Sequence, residues 1–584
     1  SSDLMNKKAP QNVFWRLLSY VKPYLFLTIA ALSFLLLTTV IRSIIPLLAS
    51  YFIDHYVHQV TDGVLLVLGG YFGLYILQML FQYIGNFWFA KVSYSIVRDI
   101  RQDAFSKMES LGMAYFDQTP SGSIVSRLTN DTESISEMFS GILSSFISAI
   151  FVVAVTLYTM FALEWKLTSL IVLFLPIIFI LVNMYRKKSA PVVEKTRSLL
   201  SQINSKLAES IEGIRIIQAF RQEERLSDEF EAINQEHLAF ASRSMALDSL
   251  FLRPALSLIK ILAYAFLMTY FGLDWSDAPV SAGLIYAFIQ YANRLFDPLL
   301  EVTQHFSTLQ TSMVSAGRVF TLMDQTIEEP RQESTDVRII KGDIVFEDVS
   351  FSYDGKRKIL DHVSFEVKKG QTIAFVGATG SGKSSIINVF MRFYEFQSGR
   401  ILIDGQDIRQ FAPHELRSNI GLVLQEPFLY HGTIASNIQM YQDISQDDII
   451  EAARFVDAAP FIEKLPNGYQ QLVTERGSSF STGQRQLLAF ARTMASQPKI
   501  LILDEATANI DSETEQTVQH SLEKMRKGRT TIAIAHRLST IQDADCIYVL
   551  DKGKIIESGN HEELLALKGT YHRMYELQAG QLAR

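Results

Sequence analysis

The hydrophobic pattern divides the chain in two. In the first half, Leu, Ile, Phe and Val come in long runs, whereas the second half mixes charge with short apolar strands. A bilayer core about 30 Å thick requires roughly 20 mostly apolar residues in a spanning helix. Six runs meet that demand, at 24–51, 64–89, 139–163, 167–185, 250–272 and 280–300. Lipid supplies no partner for a free backbone amide, so each run is predicted to be helical. The polar segments between them still carry apolar residues at helical spacing, as at Ile203, Leu207, Ile211, Ile214 and Ile217. The membrane helices are therefore predicted to continue well past the bilayer.

The basic residues orient these runs. Lys91, Arg98, Arg101, Lys107 and Arg127 follow the second run, and Arg186, Lys187, Lys188, Lys195, Arg197, Lys206, Arg215, Arg221 and Arg225 follow the fourth. The short connections 54–62 and 273–279 have neither Lys nor Arg. That asymmetry predicts a multi-pass protein of the plasma membrane with both termini in the cytoplasm. The first run lacks a following small-residue cleavage site and reads as a retained span. At the far ends of the long segments lie two turns, Tyr115-Phe116-Asp117-Gln118-Thr119-Pro120-Ser121-Gly122 and Glu212-Gly213-Ile214-Arg215. They are candidate contacts with the second half of the chain, or plain helix–helix turns. The polar stretch containing Glu328, Glu329, Pro330, Arg331 and Glu333 breaks the apolar pattern. The expected organisation is a transmembrane domain over 1–323, a linker over 324–341 and a cytosolic domain over 342–584.

Composition removes some functions. A mean hydropathy of +0.14 argues against a wholly soluble protein. The net charge is −7 and no strongly basic stretch appears, so the cationic footprint that nucleic-acid binding needs is missing. The single cysteine, Cys546, excludes an intrachain disulfide framework.

The chemistry lies in the second half. A strand-like run ending at Val376 is followed by Gly377-Ala378-Thr379-Gly380-Ser381-Gly382-Lys383-Ser384 and then by a helical stretch beginning Ser385-Ile386-Ile387. Both the pattern and its strand–loop–helix setting match a phosphate-binding loop. The glycines let successive backbone N–H groups face phosphate oxygens, Lys383 reaches the terminal phosphates, and Ser384 can hold Mg2+. Downstream, the apolar strand 500–503 ends in Asp504-Glu505, placing two carboxylates where a parallel sheet binds ligands. Asp504 is the expected metal partner and Glu505 the group that polarises the attacking water. A carboxylate pair capping the next helix would read the same way in isolation; beside the phosphate loop it points to ATP hydrolysis.

Ser479-Phe480-Ser481-Thr482-Gly483-Gln484-Arg485-Gln486 resembles the signature motif of the ABC transporter family. Phe116-Asp117, Gly122 and Ser126-Arg127-Leu128-Thr129-Asn130-Asp131 are similar to the family's multidrug exporters. The resemblance implies a membrane all-α bundle of six long transmembrane helices fused to a cytosolic α/β P-loop ATPase domain. It implies that Tyr353 stacks on adenine, that residues Gly377 to Ser385 hold the phosphates, and that Gln425 touches Mg2+. It further implies that Asp511 contacts the dimer partner, that His536 senses the terminal phosphate, and that Ser481, Gly483 and Gln484 reach nucleotide on that partner. One phosphate loop and one set of spans imply pairing with a second half-transporter. The usual signature reads Leu-Ser-Gly-Gly-Gln, so Phe480 and Thr482 depart from it. A side chain at Thr482 crowds backbone that must approach a phosphate, which suggests a heterodimer with one impaired site. The implied activity is ATP-driven export of lipophilic compounds, with lipid flipping or peptide export as alternatives and an ATP-gated channel or regulator as a further reading.

Charges inside spans are costly and mark a cavity or a partner. Arg42, Lys260, Arg294, Asp297 and Glu301 are such charges. Asp297 and Glu301, one helical turn apart, are candidates for facing a cavity and favouring cationic amphiphiles; the alternative is a structural ion pair, for which Lys260 and Asp297 are the two that could meet, or an interface position.

Overall fold

The computed structural model describes residues 11–56, 63–274, 281–333, 336–440, 443–474, 477–504, 512–535 and 538–582. They form two compact units. One is Ser1–Glu109 with Ser121–Gln325, and the other Ser110–Pro120 with Thr326–Arg584.

The first unit is all helical. Among the described residues, five stretches are long and apolar enough to cross a membrane: Val13–Tyr56, Val64–Glu109, Ser121–Leu163, Trp165–Glu212 and Glu223–Tyr270. The sixth expected run also forms a helix, Ala282–Met323. Gln290, Asn293, Arg294 and Asp297 interrupt its apolar sequence, so composition alone does not mark it as a span. The helix Val64–Glu109 has 46 residues, about 70 Å at 1.5 Å each, and so outruns the bilayer as the spacing predicts. None of its most apolar window is buried within the protein, whereas Val92, Ile96, Val97, Ile100 and Ala104 farther on are buried at helical spacing. The Leu-rich part is uncovered in this subunit and the far part packs against protein.

Small residues let these helices approach closely. Ala263, Ala287 and Ala292 are fully covered in a cluster with Leu267, Phe288 and Leu295. A Cβ on Gly283 would lie 2.2 Å from the Ser50 carbonyl oxygen, so only glycine fits there, and its N–H donates to Asp54 Oδ1 at 2.7 Å. In the polar extensions, Asp131 is buried and accepts both Nε, at 2.8 Å, and Nη2 of Arg318.

The second unit contains a six-stranded sheet in the order Lys554–Gly559, Cys546–Asp551, Thr372–Gly377, Thr530–Ile534, Ile500–Asp504, Ile420–Val423. The first pair is antiparallel and the other neighbours are parallel. Its central strands are continuous apolar runs because both faces are covered: Ala374 and Leu501 pack on one side with the helices of 434–495, and Phe375 and Ile502 on the other. The latter layer includes an antiparallel sheet of Leu360–Val367, Ile344–Phe351, Ser398–Ile403 and Gln406–Asp407.

The linker is tied to this unit at two places. Asp404 accepts the N–H groups of Ile340, Lys341, Gly342 and Asp343 at 2.6–2.9 Å. Nearer its start, Glu328 forms an antiparallel bridge with Leu111, and Gly112 N–H donates to the Ile327 carbonyl at 3.0 Å. A Cβ on Gly112 would sit 2.6 Å from the Glu328 oxygen. The turn at residues 110–120 thus belongs to the second unit, and Tyr394 donates to its Asp117. Burial, reinforced by the Asp117 carboxylate, pushes the Tyr394 phenol well above its ordinary pKa. The other turn, at Gly213, separates the helices Phe174–Glu212 and Ile214–Ala219 within the first unit.

Candidate nucleotide-binding site

The phosphate loop emerges from the centre of the six-stranded sheet, between the strand Thr372–Gly377 and the helix Lys383–Phe390. Its glycines are there for backbone reasons. Gly380 and Gly382 take φ of +80° and +110°, a region that favours glycine, and a Cβ on Gly377 would lie 2.3 Å from the Leu550 carbonyl oxygen. Lys383 is buried, and its Nζ donates to the carbonyls of Gly377 at 2.7 Å and Ala378 at 3.1 Å. The cation is thereby held over the loop. Ser381 is buried and its Oγ has no hydrogen-bond partner among the described residues. Ala378, Thr379 and Ser384 are exposed at the mouth of the loop, and Ser385 is buried behind it.

The parallel register aligns the other groups with this loop. Asp504 ends its strand opposite Ile534, which pairs in turn with Phe375, two residues before Gly377. Gln425 is exposed just beyond the strand Ile420–Val423, which borders the Asp504 strand. Tyr353 lies with its ring edge-on to Phe351 and Tyr394, at centroid distances of 4.7 and 4.8 Å. Its hydroxyl meets Ser385 Oγ at 3.1 Å and Asn388 Nδ2 at 3.0 Å. The adenine candidate is thus pinned to the phosphate-loop helix. Asp354, beside it, is held down at about 2 by the backbone N–H groups of Arg357 and Lys356 and the Ser352 hydroxyl. Glu505, Asp511 and His536 lie outside the described residues.

The signature stretch is built as a helix start. Ser481 caps the helix Thr482–Ala495 through a capping box with Gln484: Ser481 N–H donates to Gln484 Oε1 at 3.1 Å, and Gln484 N–H to Ser481 Oγ at 3.3 Å. Gly483 is buried in the first turn. The two unusual residues have partners. Phe480 is buried and meets the edge of Phe461 at 6.5 Å. Arg485 donates to the Phe480 carbonyl at 2.7 Å and to Thr482 Oγ1 at 3.1 Å.

The sequence reading missed Arg492. Its guanidinium donates to the carbonyls of Asn437 and Phe428, both at 2.8 Å, and to Asn437 Oδ1 at 3.0 Å. Burial lowers its pKa, and the contacts join the signature helix to the segment following Gln425. No local motif announces it, because its partners are far away in sequence. In the membrane unit, Lys260 Nζ is 3.2 Å from Asp297 Oδ1, so the carboxylate proposed for a cationic substrate is already in an ion pair. Glu301 falls within the helix Ala282–Met323, and its side chain lies outside the described residues.

Residues 28–299 match the family described as the ABC transporter transmembrane region, and residues 360–508 match the one described as ABC transporter. The protein exp8 of Streptococcus pneumoniae, an ABC transporter ATP-binding protein by name, is 70% identical over 99% of this chain and 100% of its own. The chain belongs to the ABC transporter family. A second relative is YheH of Bacillus subtilis, named as a multidrug resistance ABC transporter ATP-binding/permease protein, with 44% identity over 89% of this chain and 77% of its own. A fatty acid ABC transporter of Mycobacterium bovis is 36% identical over 81% of this chain and 75% of its own. A solved bacterial Atm1-family ABC exporter with ATP bound superposes with a TM-score of 0.77 at 28% identity, covering 95% of this chain and 99% of that one. This ABC transporter is therefore a type IV exporter half-transporter, a multi-pass membrane protein whose ATPase is coupled to transport. Exporters of this family work as dimers on membrane-embedded substrates.

Proposed function

We propose that this chain is one subunit of a heterodimeric exporter of lipophilic compounds in a bacterial plasma membrane, with six spans and both termini cytoplasmic. The observation that carries the reading is the phosphate loop itself, whose lysine Nζ rests on the Gly377 and Ala378 carbonyls and whose Ser381 hydroxyl lacks a partner among the described residues. Both groups gain a natural acceptor when triphosphate oxygens enter the loop. In this reading the backbone of residues 377–385 cradles the phosphates and Tyr353 carries the adenine. The oxygen donors Ser384, Gln425 and Asp504 suit Mg2+, which prefers hard oxygen ligands, and they would hold it; bound there, it offsets phosphate charge. Glu505 orients the attacking water, and His536 contacts the terminal phosphate. Ser481, Gly483, Gln484 and Asp511 serve the site of the partner subunit.

Heterodimerisation is supported by Thr482, whose hydroxyl is fixed by Arg485 at the turn where backbone must approach a phosphate. The competent site would then use this chain's Glu505 with the partner's signature. Export of drug-like lipophiles is supported by the relative named for multidrug resistance, and export of lipid-like amphiphiles by the one named for fatty acids. The test is ATP hydrolysis by the two-chain complex in lipid. Glu505→Gln is expected to remove nearly all turnover and substrate efflux, and robust turnover by this chain purified alone would count against the heterodimer.

A further inference from the structure

Of the charges inside the expected spans, Arg42 and Arg294 have no acidic partner among the described residues. Arg42 lies on the helix Leu25–Tyr56, about 25 Å along it at 1.5 Å per residue, and Arg294 on the helix Ala282–Met323, about 18 Å from its start. Leu35, Thr38, Thr39, Ile45 and Pro46 share the helical face of Arg42 by their spacing and are all buried. The exposed Leu36, Leu37, Val40 and Ile44 lie on other faces. Arg42 is nevertheless exposed, although its neighbours on that face are packed.

Arg294 meets it there, because Arg294 Nη1 donates to the Arg42 carbonyl. Among the described residues neither guanidinium has a carboxylate within ion-pair distance. Asp297, one turn from Arg294, is held by Lys260. The neighbours that act on Arg294 electrostatically are Arg42 and the phenols Tyr71, Tyr75, Tyr286 and Tyr291; Tyr291 already donates to the Ser43 carbonyl, and Tyr71 and Tyr75 are 3.4 Å apart at their hydroxyls. Like charges within a membrane-spanning unit, with no counterion among the described residues and with phenols nearby, form an arrangement that an anion would relieve.

We propose that Arg42 and Arg294, with the hydroxyls of Tyr71, Tyr75 and Tyr286, form a site for the anionic head, carboxylate or phosphate, of an amphiphile. The proposal rests on the export reading and narrows its substrate class from lipophilic compounds to anionic ones. Guanidinium forks take up carboxylate or phosphate oxygens two at a time, and the phenols complete the donor shell while their rings present an apolar surface to the tail. The head can arrive on a transported molecule or on a membrane lipid, and the experiment separates the two.

The complete two-subunit transporter is placed in phosphatidylcholine nanodiscs and its ATPase is titrated with oleate, oleyl alcohol and oleylamine. Wild type is expected to respond to oleate at lower concentration than to the other two. Arg42→Gln with Arg294→Gln should raise the oleate half-point at least tenfold while leaving that of oleyl alcohol unchanged, and the paired Lys variants should restore most of the response. A second titration replaces phosphatidylcholine by phosphatidylglycerol. If the Gln variants keep the oleate response but lose a dependence on phosphatidylglycerol, the head belongs to a lipid and the anion site stands. The proposal is overturned if both responses survive the Gln variants, if wild type shows neither, or if all three amphiphiles weaken equally, which marks a packing defect. Should the double variant fail to assemble, Arg42→Gln alone, at the exposed position, must move the oleate half-point in the same direction. Absence of any ATPase in wild type would indict the export reading and not this site.

Discussion

Lys383 shows how the side chain proposed to meet a phosphate is placed by its own loop. Its Nζ sits on two loop carbonyls in a buried position, so its charge is already placed at the mouth of the loop and little rearrangement is needed to meet a phosphate. Lys383→Ala is expected to lower turnover roughly 10²–10³-fold, read as ATPase of the complex in lipid. Thr482 has the opposite character. Its hydroxyl is an acceptor for Arg485, and in the proposed heterodimer, where that position faces a partner's phosphate, Thr482→Gly should raise turnover several-fold with this chain's own Glu505 left in place. Asp404 gives a pH signature. Burial would raise its pKa, but the four N–H donors of residues 340–343 outweigh burial and hold it below the ordinary carboxylate value. A lowered carboxylate contributes stability that is complete above its unfolded value, about 3.9, and is lost as pH falls through the folded one. The stability deficit of Asp404→Asn should therefore be full at neutral pH and vanish in strong acid, as followed by thermal melts across pH.

The residues of the phosphate loop were legible in the sequence because strand, glycine spacing and helix are all local. Helical elements were legible for the same reason, with one qualification: the run at 280–300 does form a helix, but its polar residues keep it from qualifying as a span by composition. Elements that depend on partners distant in the chain were not legible. Arg392 is the clearest case. It follows the phosphate-loop helix with a left-handed φ of +58° and is 2% exposed. Its guanidinium binds Glu395 at 2.6 and 2.8 Å, the Arg331 carbonyl at 3.2 Å and Gln332 Oε1 at 3.3 Å. One side chain thus secures the linker to the end of the nucleotide helix, while Tyr394, two residues on, holds Asp117. Arg392→Lys cannot reproduce the fork; it should keep ATP binding but reduce transport per ATP hydrolysed, measured as efflux against phosphate release in proteoliposomes. Asp131→Ala removes the two bonds from Arg318 and should cost about 2 kcal/mol, seen as a lower melting temperature of the detergent-solubilised transporter.

At the scale of the molecule, the division into a membrane unit and an ATPase unit was evident from hydropathy, because bilayer and water select different residues. The exact partition was not. Residues 110–120 sit in sequence between two membrane helices, yet they fold with Thr326–Arg584. Hydropathy cannot reveal this, since a short turn of mixed apolar and polar residues reads the same whichever unit it joins, and only the Gly112, Leu111 and Asp117 contacts assign it.

That turn sets a timetable for biosynthesis. Asp117 leaves the ribosome 277 residues before Tyr394, a delay on the order of tens of seconds at bacterial elongation rates. During that interval the turn waits without its dock, so the ATPase lobe must complete itself around a piece supplied long in advance. Residues 326–584 produced alone should melt below the same lobe in the intact chain, and a synthetic peptide of residues 110–120 should restore part of the difference. Chaperone dependence of the nascent chain would then peak before the second lobe emerges.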